Sequence, residues 1–536
     1  MWASASEPPA PGSRSAASSA SERALTDPGL VVVEVARRGK LVVGEPFFAP
    51  GVPLVLDRKG LGEADAGDLV VVRPGRGRAR VERVLGPAKS IDAALEGLLV
   101  ERGLRGPFEP YEPPEPSLEG RVDLREELSF TIDPETAKDF DDALSLRREE
   151  DGIRAWVHIA DVSHFVPAGT PLDLGAAERA NSVYVPGRVA PMLPPELADD
   201  LCSLRPHQDR LCVTVELPPA REPLFYRSAI RSRARLTYAQ AERRDAEPEV
   251  AAALELADEL ARELRRRRFA RGALRIESRE ISFAFDGRGG VERAWREEEP
   301  SAHALVEELM ILANEAVAGL LAGRRREALF RVHERPDPQA IALLFARLAD
   351  LEVPTPPVPE DEALSPAAAA RLAGAASEAV TDYVTRSRRG RDAFPALVLR
   401  SLKQARYDPR NLGHSGLASP AYCHFTSPIR RYPDLVVHRA LLHELGAADD
   451  PAPDDLAELA EHTSAREREA AEVEYFADEL CLAWLLEAEL FERGWDSSYG
   501  GEIVGVIGSG DRLGDPIEVR VDEIRRSEGK VALTLP

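Results

Sequence analysis

The segment Thr131-Ile132-Asp133-Pro134-Glu135-Thr136-Ala137-Lys138-Asp139-Phe140-Asp141-Asp142-Ala143-Leu144 packs four aspartates into ten residues beside an apolar run. Gathered carboxylates repel one another, and burying even one unpaired costs several kcal/mol, so the cluster asks for divalent cations or a metal-bound substrate. The spacing predicts an extended entry at Asp133 and a tight turn from Asp139 to Asp142 that aims several oxygens at one point. A solvated acidic loop is the plain alternative, since Asp and Glu supply 92 of 536 residues. The flanks oppose it: Leu128, Phe130 and Ile132 alternate with polar neighbours, and Phe140, Ala143 and Leu144 place the aspartates at the rim of a core. An EF-hand starting at Asp139 would put Leu144 where the sharp turn needs glycine.

A second group lies far downstream, in His424-Phe425-Thr426-Ser427-Pro428-Ile429-Arg430-Arg431-Tyr432-Pro433-Asp434. Ser427 followed by Pro428 predicts a helix N-cap with proline at the first helical position. Such a terminus beside two arginines can receive phosphate. An ordinary capped helix with surface arginines is the alternative.

These residues need a scaffold. Residues 1–28, rich in Ala, Ser and Pro, predict a disordered tail. Short β-branched runs between glycines over 29–88 (Leu30–Val35, Lys40–Val43, Asp68–Arg73 and Ala79–Val84) predict a small barrel, with Phe47 and Phe48 its only aromatics between Leu30 and Leu85. Residues 89–120 combine a helix-like stretch with a proline-rich linker. From 121 to 445, strands such as Ala155–Ala160 and Cys212–Leu217 mix with helices over 248–269 and 301–321, an α+β pattern. A long helix follows over 446–495, with Val473, Phe476, Ala477, Leu480 and Trp484 on one face as core packing. Residues 496–536 return to strand signals.

Charge alone disfavours a nucleic-acid binder, because 69 basic side chains stand against 92 acidic ones, a net charge of −23. Two basic knots, Arg265 to Arg268 with Arg271, and Arg386, Arg388, Arg389 and Arg391, are equally readable as solvated faces or phosphate contacts. The four cysteines show no C-x-x-C spacing, which predicts a reduced, cytoplasmic protein. No apolar run approaches the length of a membrane span, and neither a membrane protein nor a secreted one is expected.

The aspartate segment, Val157-His158-Ile159-Ala160-Asp161-Val162-Ser163-His164-Phe165, Asn181-Ser182-Val183-Tyr184-Val185-Pro186-Gly187-Arg188, Pro191-Met192-Leu193-Pro194 and His424 to Arg439 together resemble the catalytic domain of the ribonuclease II and ribonuclease R family. They occur in family order with family-like spacings. The resemblance implies an α+β fold, a large mixed catalytic domain flanked by small all-β OB-like barrels. It also implies a hydrolytic 3′-to-5′ exoribonuclease, monomeric, that takes the 3′ end of single-stranded RNA and releases nucleoside 5′-monophosphates. By matched position, Asp133, Asp139, Asp141 and Asp142 would bind two Mg2+ ions, with Mn2+ as a substitute. Asp141, Asp142 and Arg430 would be catalytic, with Arg430 neutralising the transition-state phosphate. Tyr184 would pack against the terminal nucleotide, and Glu307 matches an acidic position that contacts substrate. His158 and His164 read as packing residues.

Four departures from the family pattern suggest a reduced grip on RNA. The stretch 29–88 allows one N-terminal barrel where many relatives have two, and the C-terminal barrel looks truncated, lacking its middle strands. Ile276 stands where relatives often carry an aromatic, and Ser415 follows His414 at another such place. Low processivity is the expectation. The rival reading is a non-catalytic RNA-binding relative, which the four aspartates, Tyr184 and Arg430 oppose; a DNA-directed nuclease is a third.

Overall fold

Runs of β-branched residues lose little side-chain freedom in extended backbone, and here they form Val31–Arg38, Leu41–Pro46, Asp68–Arg73 and Arg80–Pro87 with a short Leu54–Val55. The computed structural model describes residues 29–535 apart from 276–279, 297–300, 359–363, 449–452, 454 and 506–511. The expected tail over 1–28 lies outside the described residues, as do Ile276 and most of the break after residue 448. The N-terminal strands pair antiparallel in the order Leu54–Val55, Leu41–Pro46, Val31–Arg38, Asp68–Arg73, Arg80–Pro87. Both faces are covered. Val33, Val35, Val70 and Val72 pack with Leu56 and Val81 on one side, while Val32, Leu69 and Val71 meet the helix Ile91–Glu101 and the helix Leu456–Arg493 on the other. The expected barrel is therefore an open sheet. Its two ends touch through a single parallel bridge, Leu56 with Ala79, because the Leu54–Val55 strand is too short to zip the edges together.

The central sheet has seven strands, in the order Ala234–Thr237, Phe130–Asp133, Asp142–Glu149, Gly152–Ala160, Asp209–Leu217, Leu224–Arg231, Val122–Asp123. Only the two edge pairings are parallel. Alternation divides its side chains between two cores. Leu144, Leu146, Val157, Ile159, Val213 and Val215 pack on the helices Pro248–Ala270 and Ser301–Gly323. Ala143, Ala160 and Cys212 face Phe165, Leu172, Met192 and Leu193 on the other side. The helix Tyr432–Glu444 serves both, sending Val437, Leu441 and Leu442 to the first core and Leu435 and Val436 to the second.

Three helices, Pro338–Asp350, Pro366–Ser387 and Ala393–Arg400, close a separate apolar cluster. The long helix buries Val473, Ala477, Leu480 and Trp484 as its stripe predicts, with Phe476 half-buried beside them. After it, Ser498–Glu502, Pro516–Arg525 and Lys530–Thr534 form a three-stranded antiparallel sheet whose Val521, Val531 and Leu533 pack on Leu486 and Leu490. All four cysteines are buried and unpaired. Among the described residues no helix is long and apolar enough to cross a membrane.

Candidate active site

Asp133 ends the fully buried strand Phe130–Asp133, and Asp142 begins Asp142–Glu149, so the chain between them must turn at the sheet's end. Phe140 anchors that turn in the second core. Its amide donates to Ser203 Oγ at 3.1 Å, its carbonyl accepts from Leu204 N at 2.9 Å, and Asp141 O accepts from Ala160 N at 2.9 Å. With the backbone held in this way, the four carboxylates open onto one cavity.

Opposite stands the segment before the helix Tyr432–Glu444. The sequence places the helix start at Ser427-Pro428, but the structure starts it at Tyr432 with Pro433 in the first turn. The cause is local pairing. Arg431 is extended and bridges Asn181, and Tyr432 N donates to Ala180 O at 2.8 Å, which draws these residues out of helical geometry. Asp434, fully buried, accepts from Ser427 N and from Arg431 Nη2, both at 2.8 Å. This closes residues 427–431 into a turn. The turn aims Ile429 N at Asp141 Oδ1, 2.9 Å away, and brings Arg430 Nε to 3.4 Å from Asp141 Oδ2.

Tyr184 comes from a hairpin, Val183–Val185 with Arg188–Ala190, turned by Pro186-Gly187 with Gly187 at φ 75°. Val183 and Val185 are buried, so alternation directs Tyr184 to the cavity. Its hydroxyl donates to Asp139 Oδ2 at 2.8 Å and its amide to Glu474 Oε1 at 2.7 Å. Burial and the neighbouring Asp139 charge raise its phenol well above the ordinary range.

The cavity is about 2570 Å³ and is lined by Asp133, Asp139, Asp141, Asp142, Tyr184 and Arg430. Burial pushes the Asp133 carboxyl up to about 6, with the Asp139 charge adding to it. Burial and then Asp133 push Asp142 up to about 7. Burial raises Asp141 as well, against the pull of Arg430. These groups feel one another, yet among the described residues no three His, Cys, Asp or Glu side chains converge as metal ligands. The expected aiming of several oxygens at one point is corrected here: Asp139 turns to the Tyr184 hydroxyl and Asp141 to the Ile429 amide, each accepting a donor that relieves mutual repulsion. The residues nonetheless fit divalent cations. Asp133 Oδ2 and Asp141 Oδ2 are buried without a hydrogen bond, the latter facing the Arg430 guanidinium, and hard carboxylate oxygens are the usual ligands of Mg2+.

Residues 121–447 match the RNB domain family. The chain belongs to the RNB-domain family. It is 35% identical to ribonuclease R of Escherichia coli (strain K12) over 490 residues, which cover 79% of this chain and 58% of that protein. Ribonuclease R of Aquifex aeolicus is 34% identical over 495 residues, 85% of this chain and 67% of that one. The chain thus spans under two thirds of the length of the Escherichia coli relative. Among solved structures, Mycoplasma genitalium RNase R in complex with ribose methylated single-stranded RNA superposes with a TM-score of 0.81 at 22% identity, over 95% of this chain and 90% of that one. Yeast Ssd1, a pseudonuclease, superposes at 0.63 with 18% identity, over 89% of this chain and 62% of that one. Both show the shared fold.

Within this RNB domain the other anticipated residues sort differently. Glu307 does not line the cavity; it accepts from Arg268 Nη2 at 3.2 Å on the helix Ser301–Gly323. Arg268 is buried and pairs chiefly with the buried Glu308, with the more exposed Glu307 as a second, longer contact. Arg266 and Arg267 pair with Glu263, and Arg389 with Asp515 and the Leu351 carbonyl, so these arginines serve internal contacts. His158 is buried between Ser145 Oγ and Thr214 Oγ1, each 2.9 Å away, and His164 Nε2 contacts the Glu115 carbonyl. Both are packing residues. Sequence reasoning missed Glu474, which holds the Tyr184 amide from 290 positions away. It is one of many glutamates on a charged helix, and nothing in its local pattern singles it out.

Proposed function

We propose that the chain is a hydrolytic exoribonuclease that enters single-stranded RNA at its 3′ end and releases nucleoside 5′-monophosphates. The observation that carries this reading is the junction at Asp141, where a buried carboxylate from one motif meets both the Ile429 amide and Arg430 from the other across a cavity edge. An isolated acidic loop would not be tied to a phosphate-binding arginine in this way. When bound by Asp133, Asp139, Asp141 and Asp142, two Mg2+ ions, or Mn2+ in their place, would supply Lewis-acid charge and an activated water. Arg430 offers a planar fork to the scissile phosphate and neutralises charge that develops on it. Tyr184, fixed through its amide and its hydroxyl, presents its ring to the terminal nucleotide and holds the phosphate in register.

The rival, a non-catalytic RNA-binding relative, would have no need to retain four cavity carboxylates whose ionisation is costly without cations. Low processivity belongs to the same reading. Phe47 packs edge to face on Phe48 and Phe48 on Phe476, which engages the N-terminal sheet's half-buried aromatics with each other and with the long helix. Grip on the strand then falls mainly to the catalytic cavity. The test is Asp141→Asn, which removes one ligand charge at constant size. Hydrolysis of an oligoribonucleotide is lost while binding stays within a few-fold; equal loss of both would contradict the metal-site reading.

A further inference from the structure

Most aromatic rings around the cavity are already engaged: Tyr238 contacts His303, Arg179 lies over Phe108, and Phe283 and Phe285 pack into the core beneath the Tyr184 hairpin. Among the described residues two exposed rings besides Tyr184 line it, Trp295 at 37% and Tyr475 at 50%. Charge separates them. Tyr475 lies beside the carboxylates of Glu479 and Asp478, which repel a phosphate backbone. Trp295 carries the Arg293 guanidinium 4.6 Å over its ring.

The hairpin bearing Trp295 is rigidly seated. Ile281–Phe285 pairs with Val291–Arg296, Trp295 standing opposite Ser282 and Phe283 opposite Ala294. Residues directly opposite share a face, so Phe283 and Ala294 lie on one face and Ser282, Arg293 and Trp295 on the other. Phe285 lies so close to the hairpin turn that a Cβ on Gly187 would meet its ring at 3.2 Å. Arg296 forks onto Asp392 with two contacts of 2.8 Å, fixing the end of the strand.

We propose that Trp295, with Arg293 on its ring, is a base-stacking subsite for single-stranded RNA on the cavity wall. An indole offers a broad π-face that any base can use, and an adjacent guanidinium adds charge where the backbone passes. The subsite would supply the stacking that the N-terminal sheet, with Phe47 and Phe48 half-buried and engaged with Phe476, does not. It rests on the exoribonuclease reading above, and its test separates the two.

Binding is measured by fluorescence anisotropy in the Asp141→Asn background, with labelled single-stranded oligoadenylate and an abasic backbone of the same length. Trp295→Ala weakens oligoadenylate binding by about 5- to 150-fold, the range of one lost base stack. Trp295→Phe keeps most of the affinity, and binding of the abasic backbone changes little with either variant. Unchanged oligoadenylate binding by Trp295→Ala, or an equal loss on both ligands, overturns the subsite, as does a parent that binds no oligoadenylate. Failure of the exoribonuclease reading shows itself elsewhere, as wild-type protein that does not hydrolyse RNA.

Discussion

Lowering the pH should stabilise the protein once divalent cations are removed, and the size of the effect follows from Asp133 and Asp142. Their carboxyls ordinarily titrate near 3.8, and in the fold they stand at about 6 and about 7, raised chiefly by burial. A carboxyl whose pKa is raised on folding binds more protons folded than unfolded. Its stabilising contribution is complete below 3.8 and is lost as pH climbs through 6 for Asp133 and 7 for Asp142. Integrating the proton linkage from about pH 5 to about pH 8 gives a loss of about 1 kcal/mol from Asp133 and about 3 kcal/mol from Asp142. The two together come to about 4 kcal/mol, with Asp141 acting in the same direction. Urea unfolding in EDTA across this range reads the slope directly. Excess Mg2+ should flatten it, because a cation bound to the folded state replaces protons as counter-charge. A metal-free stability that is flat or rises from about pH 5 to about pH 8, or a slope that keeps its full size in Asp133→Asn/Asp142→Asn, would refute the reasoning.

Arg430→Lys keeps the charge but loses the planar fork, so kcat on an oligoribonucleotide should fall by roughly 10²- to 10³-fold with little change in KM; a variant as fast as the parent would reduce Arg430 to a structural residue. Glu502 accepts from the amides of Arg391, Asp392 and Ala393 at 2.8, 3.1 and 2.9 Å, capping the helix Ala393–Arg400 from the C-terminal sheet. Glu502→Ala should cost about 0.5–2 kcal/mol in unfolding experiments, and unchanged stability would show the cap to be idle.

The strands and long helices were legible because their signals are local. Val, Ile and Leu alternate where one face is buried, and the helices over 248–269 and 301–321 carry long periodic patterns with Pro248 at the start of the first. The aspartate segment and the Arg430 segment stood out as the candidate site from residue type and spacing, and the structure places both on one cavity. Their meeting at Asp141 was not, because it depends on tertiary packing between residues 288 positions apart. The helix start at Tyr432 escaped for the same reason: Ser427-Pro428 has the local form of a cap, but a bridge to Asn181 and the buried Asp434 override it. Barrel closure failed on a count of strand length, since Leu54–Val55 is two residues long. The pairing of Glu307 with Arg268 was not legible either, because no sequence pattern announced the burial of Arg268.

The central claim, a metal-dependent hydrolase acting from the RNA 3′ end, is tested most directly by one time course. Purified protein with Mg2+ is given 5′-labelled and 3′-labelled single-stranded oligoribonucleotides and a matching DNA, with an EDTA control. The account predicts a descending ladder of intermediates from the 5′-labelled RNA, immediate release of labelled mononucleotide from the 3′-labelled RNA, intact DNA, and no reaction in EDTA. Internal fragments, release first from the 5′ end, or an RNA that remains intact in Mg2+ while still being bound would contradict it.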